Sequence, residues 1–126
     1  MLKEVYSLKN DTTKIKLIQE ASLDKNNRAG LKIQNNLLFG TDKWFDAIEK
    51  GTITKHIITG SVSRIYNSGH NDFPEFEITT NDDKSAFPIM GDVGLYRLED
   101  NIHLIYVEQK LKRGSISKCI LEIKIS

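Results

Sequence analysis

A chain of 126 residues, 39% of them hydrophobic, is long enough to bury a core without metals or disulfides and short enough to be one domain. Its 18 basic and 17 acidic residues leave a formal net charge of +1, so no overall field draws it to nucleic acid or to a membrane. The single cysteine, Cys119, has no partner for an internal disulfide, and no apolar run approaches the roughly 20 residues that cross a bilayer. The opening MLKEVYSLKN lacks the apolar stretch of a secretory signal, from which a cytoplasmic protein is expected.

Residues 1–40 read as a meander of short strands. Val5 and Tyr6 fall in the first, and Ile15 and Leu17 alternate with lysines in a second after a turn at Asn10 and Asp11. A helix over Thr13 to Leu23 fits Ile15 and Ile18 equally well, and composition does not choose between the two. After a turn at Asp24–Asn27, LKIQNNLLF keeps Leu31, Ile33, Leu37 and Phe39 at even spacing, with Asn35 breaking the apolar face as a bulge or as a polar cross-strand contact.

One short helix is predicted near 42–50, within residues 41–51. Thr41 or Asp42 caps its start, the first turn is acidic and Gly51 stops it. Trp44, Phe45 and Ile48 share one face, so Trp44 reads as a core plug.

From His56 the pattern turns to strands. Ile57 to Tyr66 is β-branched, small or aromatic, with Ile58, Val62 and Tyr66 expected on one face and Gly60 marking a bulge or bend. Asn67 to Asp72 is a run of turn formers. Pro74 opens a returning strand in which Phe76 and Ile78 alternate with Glu75, Glu77 and Thr79. A short strand over Ser85–Pro88, a loop over Ile89–Asp100 with at most one helical turn, and strands over Ile102–Val107 and Cys119–Ile125 complete the chain. In the last of these, Cys119, Leu121, Ile123 and Ile125 are expected to form the apolar face. The class is therefore mainly β, α+β with one short helix, in a single domain over 1–126.

Five consecutive strands, the first long with an internal glycine and the last two joined by a basic turn, resemble the OB-fold. That family is a small Greek-key barrel which binds oligonucleotides, oligosaccharides or proteins on one sheet face and on the loops joining strands one to two and four to five. The resemblance implies a five-stranded antiparallel barrel over 56–126, with binding loops at Asn67–Phe73 and Gln109–Ser115. It departs from the family between strands three and four, where a helix is common and this chain has a glycine-containing loop. The motifs WF-x-AIE and SGHND-x-P-x-FE are also similar to those of small bacterial proteins, a similarity that implies no activity.

Ser68, His70, Asn71, Asp72 and Phe73 concentrate hydrogen-bonding groups and one aromatic in a loop longer than a hairpin requires, so it is the expected recognition element for a protein partner. Single-stranded nucleic acid is the alternative ligand. Arg64, Tyr66, Phe76, Phe87 and Tyr106 would supply a stacking face, with Tyr66 and Phe76 fitting the core equally well, and Lys110, Lys112 and Arg113 the cations. Glu75, Glu77, Glu108, Asp82 and Asp83 would repel phosphates nearby, and any such binding is expected to be weak because the net charge is near zero and only one basic loop is available. A third reading is a small hydrolase or metal-dependent enzyme using His70 and Asp72. Glu75 and Glu77 leave from a strand and His70 and Asp72 from a loop, which argues against convergence, so no catalytic or metal-binding residue is assigned. No nucleophile elbow, phosphate-binding glycine loop, HExxH or CxxC is present, and no cofactor is expected. A monomer or a strand-edge homodimer is anticipated.

Overall fold

A computed structural model describes residues 2–67 and 73–126. Its elements are β1 (Lys3–Ser7), α1 (Thr12–Leu23), α2 (Asp42–Glu49), β2 (Lys55–Asn67), β3 (Pro74–Thr79), β4 (Lys84–Pro88), β5 (Asn101–Lys110) and β6 (Ile116–Ile125), with single 3-10 turns at Leu8–Asn10 and Val93–Leu95. The strands form a six-stranded sheet in the order β1-β6-β5-β2-β3-β4. A mainly β, α+β fold is thus observed. The five strands expected after residue 55 are all present, and the Ile89–Asp100 loop carries its single helical turn.

The sheet is not a barrel. Closure requires every strand to pair on both sides. Here β1 pairs antiparallel with β6, from Lys3 opposite Ile125 to Ser7 opposite Glu122, and β1 and β4 remain as the two ends of an open sheet. The expected five-stranded barrel is therefore corrected: the strand ahead of the helices occupies the edge of β6 that closure would have needed.

The N-terminal meander is corrected as well. Residues 12–23 are helical, with Asp11 Oδ1 accepting from the Lys14 N–H at 3.3 Å as the N-cap. Ile15 and Ile18 are half-buried on one helical face while Leu17 is 61% exposed, so the apolar spacing was helical and not alternating. In 31–39 the pairing is confined to isolated bridges, Leu31 with Leu111 and Gln34 with Leu37. Asn35 and Asn36 take φ of 55° and 60°, a tight turn closed by Leu37 N–H donating to Gln34 O at 2.9 Å. Asparagine tolerates that left-handed backbone better than other non-glycine residues, which is why the polar pair sits there.

The chain divides into two compact units. The first holds Met1–Ser7, Ile57–Ile105 and Glu122–Ser126, and buries Val62, Phe76, Ile78, Phe87, Ile102, Leu104 and Ile123. Gly60 belongs to it for a steric reason: a Cβ there would lie 2.4 Å from the Thr79 carbonyl oxygen. The predicted bulge falls three residues later, between Val62 and Arg64.

The second unit holds Leu8–His56 and Tyr106–Leu121. Helix α2 is capped by Thr41, whose Oγ1 accepts from Trp44 N–H at 3.3 Å, and ends before Gly51 at φ 82°. Trp44 is completely buried, with its ring centroid 4.5 Å from Phe39 and 5.0 Å from Phe45, as expected of a core plug. Strand β6 buries Ile120, Ile123 and Ile125 while Cys119 and Leu121 are half-buried, so the strict alternation expected over 119–125 holds only at its C-terminal end.

Candidate interaction surface

In the first unit the bulge of β2 decides what the sheet presents. Val62 stands opposite Ile78, Arg64 opposite Glu77, Ile65 opposite Phe76 and Tyr66 opposite Glu75. Ser63 is the extra residue. A one-residue insertion reverses every side chain that follows it. Val62 therefore faces the core, Ile65 takes over beside Phe76, and Arg64 and Tyr66 move to the other face with Glu75 and Glu77. The expectation that Tyr66 shares a face with Ile58 and Val62 is overturned by this bulge.

The side chains of that face interact with one another. The Arg64 guanidinium lies 4.3 Å from the centroid of the Tyr66 ring, and the Tyr66 phenol hydrogen-bonds Glu75. The Glu75 carboxylate, accepting from it, holds the phenol above the usual tyrosine range, while Arg64 pulls the other way. Ser63 Oγ donates to Glu77 Oε1 at 2.9 Å, and Thr79 Oγ1 donates to Ser63 Oγ at 2.7 Å. Arg64, Tyr66, Glu75 and Glu77 thus share one face of the hairpin. Phe73, at the foot of β3, is 62% exposed. Ser68, His70, Asn71 and Asp72 lie outside the described residues.

Phe76 and Phe87, expected on the stacking face, are instead buried in the core of the first unit and offer no ring to a base. Tyr106 and the basic turn belong to the second unit. Lys112 Nζ donates to Ala21 O at 3.0 Å and Asp24 O at 2.7 Å, capping the carbonyl end of α1. Arg113 Nε donates to Ser115 Oγ at 3.3 Å within the same turn. The backbone beside them pairs with 30–32, through Lys32 N–H to Lys110 O at 2.8 Å and Lys112 N–H to Gly30 O at 2.9 Å. The basic turn expected to meet phosphates is engaged with its own unit, and this removes a principal cation from the nucleic-acid reading.

Tyr106, expected on a stacking face with Tyr66, instead meets a partner that spacing does not signal. His56 stacks on Tyr106 with ring centroids 5.0 Å apart, Lys118 Nζ lies 5.3 Å from the same ring, and His56 Nε2 is 3.3 Å from Glu108 Oε1. These residues come from three strands, and only their register brings them together. Cys119 is half-buried, and burial pushes its thiol up, away from the reactive thiolate. Among the described residues, no group of three or more His, Cys, Asp or Glu is disposed to hold a metal ion, and no helix is long and apolar enough to cross a membrane.

The near-zero net charge conceals a division. By sequence, the first unit carries 5 basic and 10 acidic residues, net −5, and the second 13 and 7, net +6. Each unit alone has the single-sign field that the whole chain lacks.

The family model described as immunity protein RhsI2 matches residues 2–126. The chain belongs to the RhsI2 immunity protein family. No curated protein matches it. Membership of RhsI2 spans both units and both helices, including the segment before residue 56 that an OB-type barrel would leave unexplained. Beside that whole-chain match, the OB resemblance reduces to a shared run of antiparallel strands.

Proposed function

We propose that this RhsI2 protein is a non-enzymatic binding module that recognises a protein toxin and occupies it. The observation that carries the reading is the family match over residues 2–126, because an immunity protein acts through its complex with the toxin. The contact is assigned to the 67–73 loop and the adjoining face of β2 and β3. Arg64, Tyr66 and Glu75 are fixed there by their own interactions, and Phe73 supplies an exposed aromatic beside them. Ser68, His70, Asn71 and Asp72 contribute donors and acceptors by sequence.

The test replaces residues 68–72 with an Asn-Gly turn and measures both the melting midpoint and the affinity for the toxin of the same locus. An unchanged midpoint with affinity lost by about tenfold or more supports the assignment of the loop. Unchanged affinity refutes that assignment, and failure of the wild type to bind the toxin refutes the function itself.

A further inference from the structure

The segment from Gly91 to Asp100, in the first unit, is fastened along its length. Gly91 takes φ 77°, and Asp92 Oδ1 accepts from Gly94 N–H at 2.9 Å. Leu95 N–H and Tyr96 N–H close the 3-10 turn onto Asp92 O and Val93 O, each at 3.1 Å. Tyr96 is 4% exposed, packs 5.0 Å from Phe76, donates its phenol proton to Met90 O at 2.6 Å and accepts from Met90 N–H at 3.3 Å. At the far end Glu99 holds φ 72°, a left-handed backbone unfavourable for glutamate, while its N–H donates to Val62 O at 2.7 Å and Val62 N–H returns to Asp100 O at 2.9 Å.

A loop anchored this firmly has few ways to turn its side chains inward, and it turns three large apolar ones outward. Val93 and Leu95 are 49% exposed and Leu98 is 59% exposed. Of the ten large hydrophobic side chains exposed among the described residues, these three fall within six consecutive positions. Single exposed hydrophobics need no explanation, but three exposed within six positions of a loop hydrogen-bonded at both ends point to an interface. By sequence, residues 91–100 carry the acidic Asp92, Glu99 and Asp100 against the basic Arg97, in a unit with twice as many acidic as basic residues.

We infer that the 93–98 loop is a second contact element of this chain, inserting Val93, Leu95 and Leu98 into an apolar depression of the toxin that is rimmed by lysine or arginine. The inference rests on the toxin-binding reading above and names the chemistry of the surface that meets it. Apolar side chains supply the buried contact, and the acidic flanks select a cationic rim and speed the encounter.

The experiment measures binding of the toxin of the same locus to the wild type, to the double variant Leu95→Asp/Leu98→Asp and to Leu23→Asp. Leu23 is a comparably exposed leucine of the second unit, at 62%. Thermal melts accompany each variant, and Val93→Ser/Leu98→Ser serves as a milder pair should the aspartates disturb the loop. The expected result is an affinity loss of about tenfold or more for the loop variants at an unchanged midpoint, little change for Leu23→Asp, and a wild-type association rate that falls as salt is raised. Loop variants that bind as the wild type does, or a loss as large for Leu23→Asp, overturn the inference and leave the toxin-binding function standing. A salt-independent association rate overturns the cationic rim. A wild type that does not bind overturns the proposed function and this inference with it.

Discussion

The Arg64 guanidinium lies over the Tyr66 ring at 4.3 Å on a face that neither residue would occupy without Ser63. Remove that extra residue from β2 and both side chains would point where Ile65 now points, toward Phe76. Tyr66 also carries the mark of its neighbour across the strands, since Glu75 raises its phenol. Glu75→Gln is expected to bring Tyr66 down toward the ordinary tyrosine range by removing the carboxylate that disfavours phenolate. Absorbance titration of tyrosinate checks this, with Tyr66→Phe identifying which of the four tyrosines moves. A Tyr66 titration unaltered in Glu75→Gln contradicts the contact.

Tyr96 should make stability fall in alkali. Burial pushes its phenol up to about 12, with the Met90 N–H acting in the opposite sense. Between an ordinary value of about 10 and that level, the unfolded chain has lost the proton and the folded chain keeps it. The stabilisation is therefore complete below pH of about 10 and is lost as pH rises through about 12. Tyr96→Phe should cost about 1–2 kcal/mol at neutral pH through the two lost Met90 bonds, and should flatten this alkaline decline relative to wild type. Urea titrations at pH 8 and at stepwise higher pH measure both effects.

Trp44→Ala is expected to cost about 3–5 kcal/mol, the range for deleting a fully buried large side chain, because the indole packs against both Phe39 and Phe45. Iodide should scarcely quench the native fluorescence of this single tryptophan. Trp44 Nε1 is buried with no hydrogen-bond partner among the described residues, so Trp44→Phe, which removes that donor, should cost clearly less than the alanine variant.

Lys112→Met should destabilise the protein by about 1–2 kcal/mol, because the ammonium satisfies two carbonyls at the end of α1 that the methionine cannot reach. The same commitment predicts that single-stranded DNA binds weakly and releases between low and physiological salt. A sub-micromolar complex with a single-stranded oligonucleotide at physiological salt would restore nucleic acid as the ligand.

Local chemistry was legible wherever it acted over a few residues. Thr41 capping α2, Gly51 ending it, Trp44 within its apolar face, and the alternation of Phe76 and Ile78 with Glu75 and Glu77 all follow from spacing and from the backbone preferences of single residues. Residues 12–23 were ambiguous because Ile15 and Ile18 satisfy a helix while Ile15 and Leu17 satisfy a strand. What settles such a segment is the surface on which it packs, which local propensity does not contain.

Residue spacing and composition are enough to make this chain a mainly β protein with one firmly signalled helix, a long hairpin around a polar loop, and a tryptophan in its core. Tertiary structure alone decided which face of β2 receives Arg64 and Tyr66, since a single bulge inverts a strand without leaving a composition signal. It decided that the sheet stays open, since β1 and β6 are more than a hundred residues apart and their pairing depends on which edges remain free. It decided, too, that Lys112 caps a helix and that the charges separate into a net −5 and a net +6 unit, because contacts distant in sequence are fixed by burying apolar surface together and not by the order in which residues are joined.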